Sequence, residues 1–191
     1  MHRNYKMFVM ALLPLLGGCA SGLPPLSIAP QVDLPRFMGD WYVIANIPTA
    51  LERDAHGAVE SYRVEPDGTM ATTFTFRDGS VDGKVKRYHP RGFVKDHPSN
   101  AVWGMRFIWP FKADYRIVYV SPDYQRTIVG REKRDNVWVM ARTPQISEAD
   151  LQDLRARVEK EGYDMADYVL VPQQWPEPAG APPRSAEKEC S

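Results

Sequence analysis

Residues 39–48 read Gly-Asp-Trp-Tyr-Val-Ile-Ala-Asn-Ile-Pro. A glycine opens the stretch, a tryptophan follows two residues on, and a proline closes the apolar run behind it. Trp41 to Ile47 therefore predicts a strand entered through a tight turn, since glycine alone tolerates unusual φ without strain. The rest of the chain extends this pattern. Residues 58–64 form a second run, ended by the turn Glu65-Pro66-Asp67-Gly68. Residues 70–76 alternate, with Met70, Thr72, Phe74 and Phe76 on one face and Ala71, Thr73, Thr75 and Arg77 on the other. After the turn Arg77-Asp78-Gly79-Ser80 come further runs at 81–88, 101–108, 114–120, 126–130 and 136–142. Eight strands joined mainly by short turns predict an all-β chain. An antiparallel meander of that length removes its exposed edges by closing into an eight-stranded up-and-down β-barrel.

One helix follows the strands. Ser147-Glu148-Ala149-Asp150 supplies an N-cap with a carboxylate three residues on. Ile146 can staple onto Leu151, while Leu151, Leu154 and Val158 make a narrow apolar stripe that Gly162 ends. Such a stripe predicts one C-terminal α-helix packed on the outside of the barrel. Tyr168 to Val171 adds a short final strand nearby.

Charge excludes some partners. Lys plus Arg and Asp plus Glu number 24 each, so the net charge is zero and nothing points to nucleic acid. The N-terminus carries other information. Basic His2, Arg3 and Lys6 precede the apolar run Met7 to Leu16, which is too short to span a bilayer. Small residues follow, the order of an export signal over residues 1–18. Leu16-Gly17-Gly18-Cys19 resembles the lipobox of bacterial lipoproteins. That resemblance implies cleavage before Cys19 and acylation of its thiol, with Ala20 matching the outer-membrane sorting pattern. Residues 19–35 then read as a lipidated, proline-rich tether, 36–173 as the barrel domain and 174–191 as a disordered tail. Cys190 lies in that tail, so no disulfide staples the fold.

The set of motifs resembles the lipocalin family, specifically its bacterial lipoprotein branch, which is similar to apolipoprotein D. Gly39, Asp40 and Trp41 match the family's first motif, Pro122-Asp123-Tyr124 its second, and Arg142 the arginine that ends its last barrel strand. The resemblance implies that Trp41 plugs the closed end of the barrel and that Arg142 packs across its indole. Gly39, Trp41, Asp123, Tyr124 and Arg142 are thus expected to be structural, with Trp41 a packing residue rather than a ligand contact.

Ligand contacts are expected higher in the barrel. Phe74 and Phe76 lie on the alternating face of their run. Trp103, Met105, Phe107 and Trp109 form the set that the family's register turns inward, and Tyr115, Ile117 and Tyr119 share a face of the next run. Aromatic and thioether side chains suit a flexible acyl chain, although they can equally fill a core. Glu60 falls on the face of Tyr62 and Val64, where a buried carboxylate needs a partner, such as Arg106, Arg116 or the polar groups of a ligand, while a bulge would equally turn it outward.

The resemblance implies reversible storage or transport of a fatty acid or lysophospholipid, held at the membrane through acylated Cys19, with a homodimer as an open alternative. No enzyme activity, cofactor or metal is expected. Both cysteines lie outside the domain, and His56, His89 and His97 lack metal-ligand spacing. Two other readings stay open: a structural lipoprotein with a filled barrel, and a haem carrier using His89 or His97, placed by their flanking Pro-Gly at the mouth. The segments 53–57 and 90–100 are expected to form that mouth.

Overall fold

The computed structural model describes residues 22–95 and 98–174. The export signal, Cys19, Ala20, His97, Cys190 and the tail beyond Gln174 lie outside the described residues.

Nine strands form the barrel wall: β1 Gly39–Ile47, β2 Ala55–Val64, β3 Met70–Asp78, β4 Val85–Tyr88, β5 Arg91–Val94, β6 Val102–Ile108, β7 Phe111–Val120, β8 Arg126–Gly130 and β9 Val137–Ala141. All pairings are antiparallel, and β1 returns to β9 to close the ring. The eight-stranded barrel expected from the sequence is present, because β4 and β5 are two parts of one broken strand. Pro90, which has no N–H to give a ladder, sits at the break. β4 pairs with β3, whereas β5 bridges β3 and β6. This corrects the expected loop over 90–100: Arg91–Val94 is wall, and Ser99 and Asn100 lie at the closed end rather than the mouth, where their carbonyls accept from Val32 and Trp103.

Two apolar clusters share the same strands. The inner one contains Trp41, Val43, Tyr62, Met70, Phe74, Phe76, Trp103, Met105, Tyr115, Ile117, Trp138 and Met140. The outer one joins Ala45, Ile47, Val118, Ile128, Val137 and Val139 to the helix. A bulge between Val43 and Ala45 lets β1 serve both. Inserting one residue inverts the alternation, so Trp41 and Val43 point into the barrel while Ala45 and Ile47 face out.

Helix α2, Glu148–Lys160, covers that outer patch. Ser147 accepts the Asp150 N–H at 3.1 Å as the cap expected from the sequence. Leu154 and Val158 are buried, and Leu151 is half-buried. Arg126 at the base of β8 pairs with Asp150, and the Arg157 guanidinium lies 4.2 Å above the Tyr119 ring. Strand β10, Val169–Leu170, adds to β1.

The segment before β1, expected as a tether, is instead packed. Arg134 Nη2 donates to the Pro24 carbonyl at 2.7 Å and the Leu26 N–H donates to Glu132 at 3.2 Å, both on the β8–β9 loop at the open end. The Ala29 N–H then bonds the Ile117 carbonyl and the Val32 N–H the Ser99 carbonyl, each at 2.8 Å. Leu26, Ala29 and Val32 are buried. The chain thus descends the barrel to α1, the single turn Leu34–Phe37, which drops the fully buried Phe37 beneath the barrel.

Candidate ligand-binding site

The lower half of the barrel is filled by rings. Phe37 lies 5.1 Å from Trp41 and 5.7 Å from both Tyr62 and Trp103, centroid to centroid. Trp103 stacks on Tyr115 at 5.6 Å, and Tyr115 on Trp138 at 6.2 Å. Gly92 on β5 makes room for this column, since a Cβ there would stand 3.1 Å from Met70 and 3.4 Å from Trp103.

A strap closes the base. The Arg142 guanidinium sits 3.7 Å above the Trp41 ring and donates to the carbonyls of Asp40 at 2.8 Å and Arg36 at 2.7 Å. Gly39 passes beside it with φ +93°, where a Cβ would lie 3.4 Å from Arg142 Nη1. Tyr124, at φ +59°, accepts the Asp33 N–H at 2.8 Å. Its carbonyl receives Arg142 Nε at 3.3 Å, and Asp123 accepts the Gln125 N–H at 3.2 Å in the same turn. Three motifs distant in sequence therefore meet at one end and tie the closed end together. A cation over a desolvated ring contributes about 1–2 kcal/mol.

Above Tyr115 the column stops and a cavity of about 190 Å³ opens. Its apolar wall comes from Phe74, Tyr88, Pro90, Met105, Phe107 and Trp138, and its polar groups from Glu52, Glu60, Thr72, Asp114, Tyr115 and Arg131. Of the residues expected to touch ligand, Glu60, Phe74, Met105, Phe107 and Tyr115 line it. Four do not. Trp103 is fully buried in the plug, with its indole N–H donating to the Asn100 carbonyl at 2.8 Å. Phe76 is sandwiched between Phe74 and Tyr88, and Ile117 is fully buried in the inner cluster. Tyr119 faces outward under Arg157 because a bulge between Ile117 and Tyr119 inverts β7. A shift between Met105 and Ile108 likewise leaves Trp109 outside, 79% exposed at the hairpin tip.

The polar groups at the cavity floor are coupled. The Tyr62 and Tyr115 hydroxyls hydrogen-bond each other, and Tyr115 donates to Glu60 Oε2 at 3.1 Å. This tyrosine, not Arg106 or Arg116, is the partner of Glu60. Arg116 pairs with Asp114 and Glu132, and Arg106 lies over Phe93. Burial, with the nearby charge of Glu52, pushes the Glu60 carboxyl up to about 8. Burial also raises Glu52, although it accepts the Trp138 indole N–H at 3.0 Å and the Thr49 N–H at 2.9 Å. With its carboxyl raised to about 8, Glu60 keeps its proton at pH 7, while the two N–H donors to Glu52 oppose the effect of burial there.

Glu52, Trp138 and Arg131 are lining residues that the sequence analysis missed. Glu52 comes from the β1–β2 loop and Arg131 from the end of β8, where no periodicity reports direction. Trp138 was legible as strand, but not as the inward member of Val137-Trp138-Val139. Arg131 Nη1 holds Asn136 Oδ1 at 2.9 Å and Asp135 at 3.2 Å, while its Nε is buried without a hydrogen-bond partner among the described residues. His89 does not line the cavity, although Tyr88 and Pro90 on either side do: its Nδ1 meets Thr73 Oγ1 at 3.3 Å on the outer wall. That removes its expected place at the mouth. Among the described residues no group of three or more His, Cys, Asp and Glu is placed to hold a metal ion.

Relatives agree with this architecture. The chain is 26% identical to the outer membrane lipoprotein Blc of Escherichia coli K12, over 86% of this chain and 98% of that one. It is also 26% identical to temperature-induced lipocalin-1 of Arabidopsis thaliana, covering 78% and 83% of the two chains. Among solved structures, insecticyanin of the tobacco hornworm Manduca sexta superposes with a TM-score of 0.61 at 11% identity, covering 78% of this chain and 84% of that one. The cockroach allergen Per a 4 gives 0.60 at 16%, covering 80% and 96%. These structural likenesses bear on the fold. The model of the lipocalin-like domain matches residues 32–173, from the packed N-terminal segment through the final strand, and with its three motifs joined at one end of a closed barrel the chain belongs to the lipocalin-like family.

Proposed function

We propose that this protein binds single-chain lipids, fatty acids or lysophospholipids, reversibly and without making or breaking a bond, at the bacterial cell envelope. The observation that carries the reading is the cavity: apolar walls, a neutral carboxyl at the floor, and the Arg131 guanidinium at the side. Size selects the ligand class. A cavity near 150 Å³ holds a benzene-sized guest, and pockets for drug-sized ligands run from about 300 Å³ upward. At about 190 Å³ the site fits part of one acyl chain rather than two. Each methylene buried adds about 0.8 kcal/mol, and Met105 and Phe74 can shift to follow a flexible chain. The Arg131 guanidinium at the cavity's edge would meet the carboxylate or phosphate of the head, leaving the tail toward Glu60 and Tyr115.

The name of the Escherichia coli relative, an outer membrane lipoprotein, supports the same location for this chain. So does Leu16-Gly17-Gly18-Cys19, which would make Cys19 the acylated anchor. Native mass spectrometry of the full chain, delipidated and then mixed with hexadecanoate or lysophosphatidylglycerol, tests the binding. One-to-one adducts that Met105→Glu abolishes are expected. A chain that takes neither probe would have a filled barrel, and the carrier reading would fall.

A further inference from the structure

The hairpin joining β6 to β7 ends in Phe107-Ile108-Trp109-Pro110-Phe111, and its large side chains are more than half exposed. Phe107 is 52% exposed, Ile108 74%, Trp109 79% and Phe111 75%. Four adjacent large apolar side chains left in water at one tip are costly, and such patches mark interaction sites. We propose that this tip inserts into the lipid bilayer and turns the mouth of the barrel toward the membrane.

Three further observations select a bilayer as the occupant. Two cations flank the tip on the outer wall: Arg106 and Lys112 lie over the Phe93 ring at 4.7 and 3.7 Å. Aromatic side chains backed by Lys and Arg are the composition that settles at an anionic membrane interface. Second, the N-terminal segment enters the fold at this same end, where Pro24 and Leu26 bond the β8–β9 loop. Cys19 lies five residues before Pro24, a reach of at most about 18 Å. An acyl anchor there would hold the open end, not the closed one, against the membrane. Third, Phe107 belongs both to the tip and to the cavity wall, so the apolar surface runs unbroken from tip to site. A second copy of the chain is a poorer fit, because a stable interface needs about 800 Å² from each partner and a projecting tip is narrow. The hairpin contact requires neither acylation of Cys19 nor a ligand in the cavity.

The test uses the full chain carrying Cys19→Ser, so that no acyl anchor contributes. Vesicles of phosphatidylethanolamine and phosphatidylglycerol with brominated acyl chains are added, and tryptophan emission is compared with that of the same chain carrying Trp109→Phe. The difference between the two isolates Trp109, and bromine is expected to quench most of it. The double substitution Ile108→Asp with Phe111→Asp is expected to lower vesicle partitioning at least about tenfold, while sub-micellar hexadecanoate still binds, separating this contact from the cavity. Trp109 emission unmoved by the vesicles would overturn the proposal. So would equal partitioning of the double variant, or a concentration-dependent dimer that the double substitution dissolves without any vesicle binding.

Discussion

The two halves of the barrel are built from the same strands and solve opposite problems. In the closed half Phe37, Trp41, Tyr62 and Trp103 meet ring to ring, and Arg142 straps the base through carbonyls of two separate segments. In the open half the same β2, β6 and β7 supply Glu60, Met105 and Tyr115 around a cavity, and burial raises the carboxyls of Glu52 and Glu60. Tyr115 belongs to both, as the top of the plug and the floor of the cavity. A barrel of eight strands has an interior just wide enough for either arrangement. Packing in one half offsets the buried acid and the void in the other, so stability and binding are expected to respond to different residues.

The sharpest way to break this division is Trp103→Ala. Removing a fully buried ring from the plug should cost about 3–5 kcal/mol in denaturant unfolding, with the affinity for a lipid probe changed only as far as the chain remains folded. Near-wild-type stability combined with lost binding would move Trp103 out of the plug and into the ligand site. The next largest effect belongs to the open half. Glu60 keeps its proton in the fold up to about 8, against an ordinary 4.5. Its contribution is therefore favourable below 4.5 and is lost as pH rises toward 8, because only the unfolded chain can ionise it there. Between those limits the wild type should lose about 2–5 kcal/mol, and Glu60→Gln should flatten the curve. A wild-type curve as flat as that of the variant would mean that water reaches Glu60 and that the cavity floor is wet.

How far these halves were legible from sequence depended on whether alternation survived. It survived in β3, where Met70, Thr72, Phe74 and Phe76 all turn inward as spaced. The three motifs were visible because each depends on a few residues in a fixed local order, and Ser147 marked its helix in the same way. Alternation failed wherever a bulge intervened. The extra residue after Ile117 sent Tyr119 outward, and the shift after Met105 sent Trp109 into solvent. Nothing in a single sequence announces such an insertion, since it is set by the length and twist of the neighbouring strand. Pro90 reads in the sequence as the end of a strand, whereas in the fold it is a break within one. Glu52 and Arg131 could not be assigned to the cavity, because loop side chains take their direction from tertiary contacts. The segment before β1 has a linker's composition, yet Leu26, Ala29 and Val32 are spaced three apart and bury together against the barrel.

Two smaller effects sharpen the boundary from either side. Arg142→Lys keeps the charge at the base but loses the planar face over Trp41 and the several donors that reach Tyr124, Asp40 and Arg36. A loss of about 1–2 kcal/mol is expected, read as a lower midpoint in urea, and hexadecanoate affinity should stay as in the wild type. A change in affinity would show that the two ends communicate.

Arg131 gives the smallest effect and the most specific one. Its Nη1 is committed to Asn136 and Asp135, which fixes the guanidinium plane at the cavity's edge, and its Nε is buried without a hydrogen-bond partner among the described residues. If the ligand is an anionic lipid with its tail inward, this guanidinium meets the head, and Arg131→Gln removes a partly screened charge contact worth about 1 kcal/mol. Affinity for hexadecanoate should then fall about fivefold, since 1.4 kcal/mol is a factor of ten. Affinity for hexadecanol, which has the same chain without the charge, should not change. The difference between the two probes is the measurement, because general loosening of the mouth would weaken both alike. Added salt should narrow it further, as it does for any partly exposed ion pair. An equal loss for acid and alcohol would leave Arg131 as a brace for the β8–β9 loop and would return the choice of ligand to the apolar wall alone.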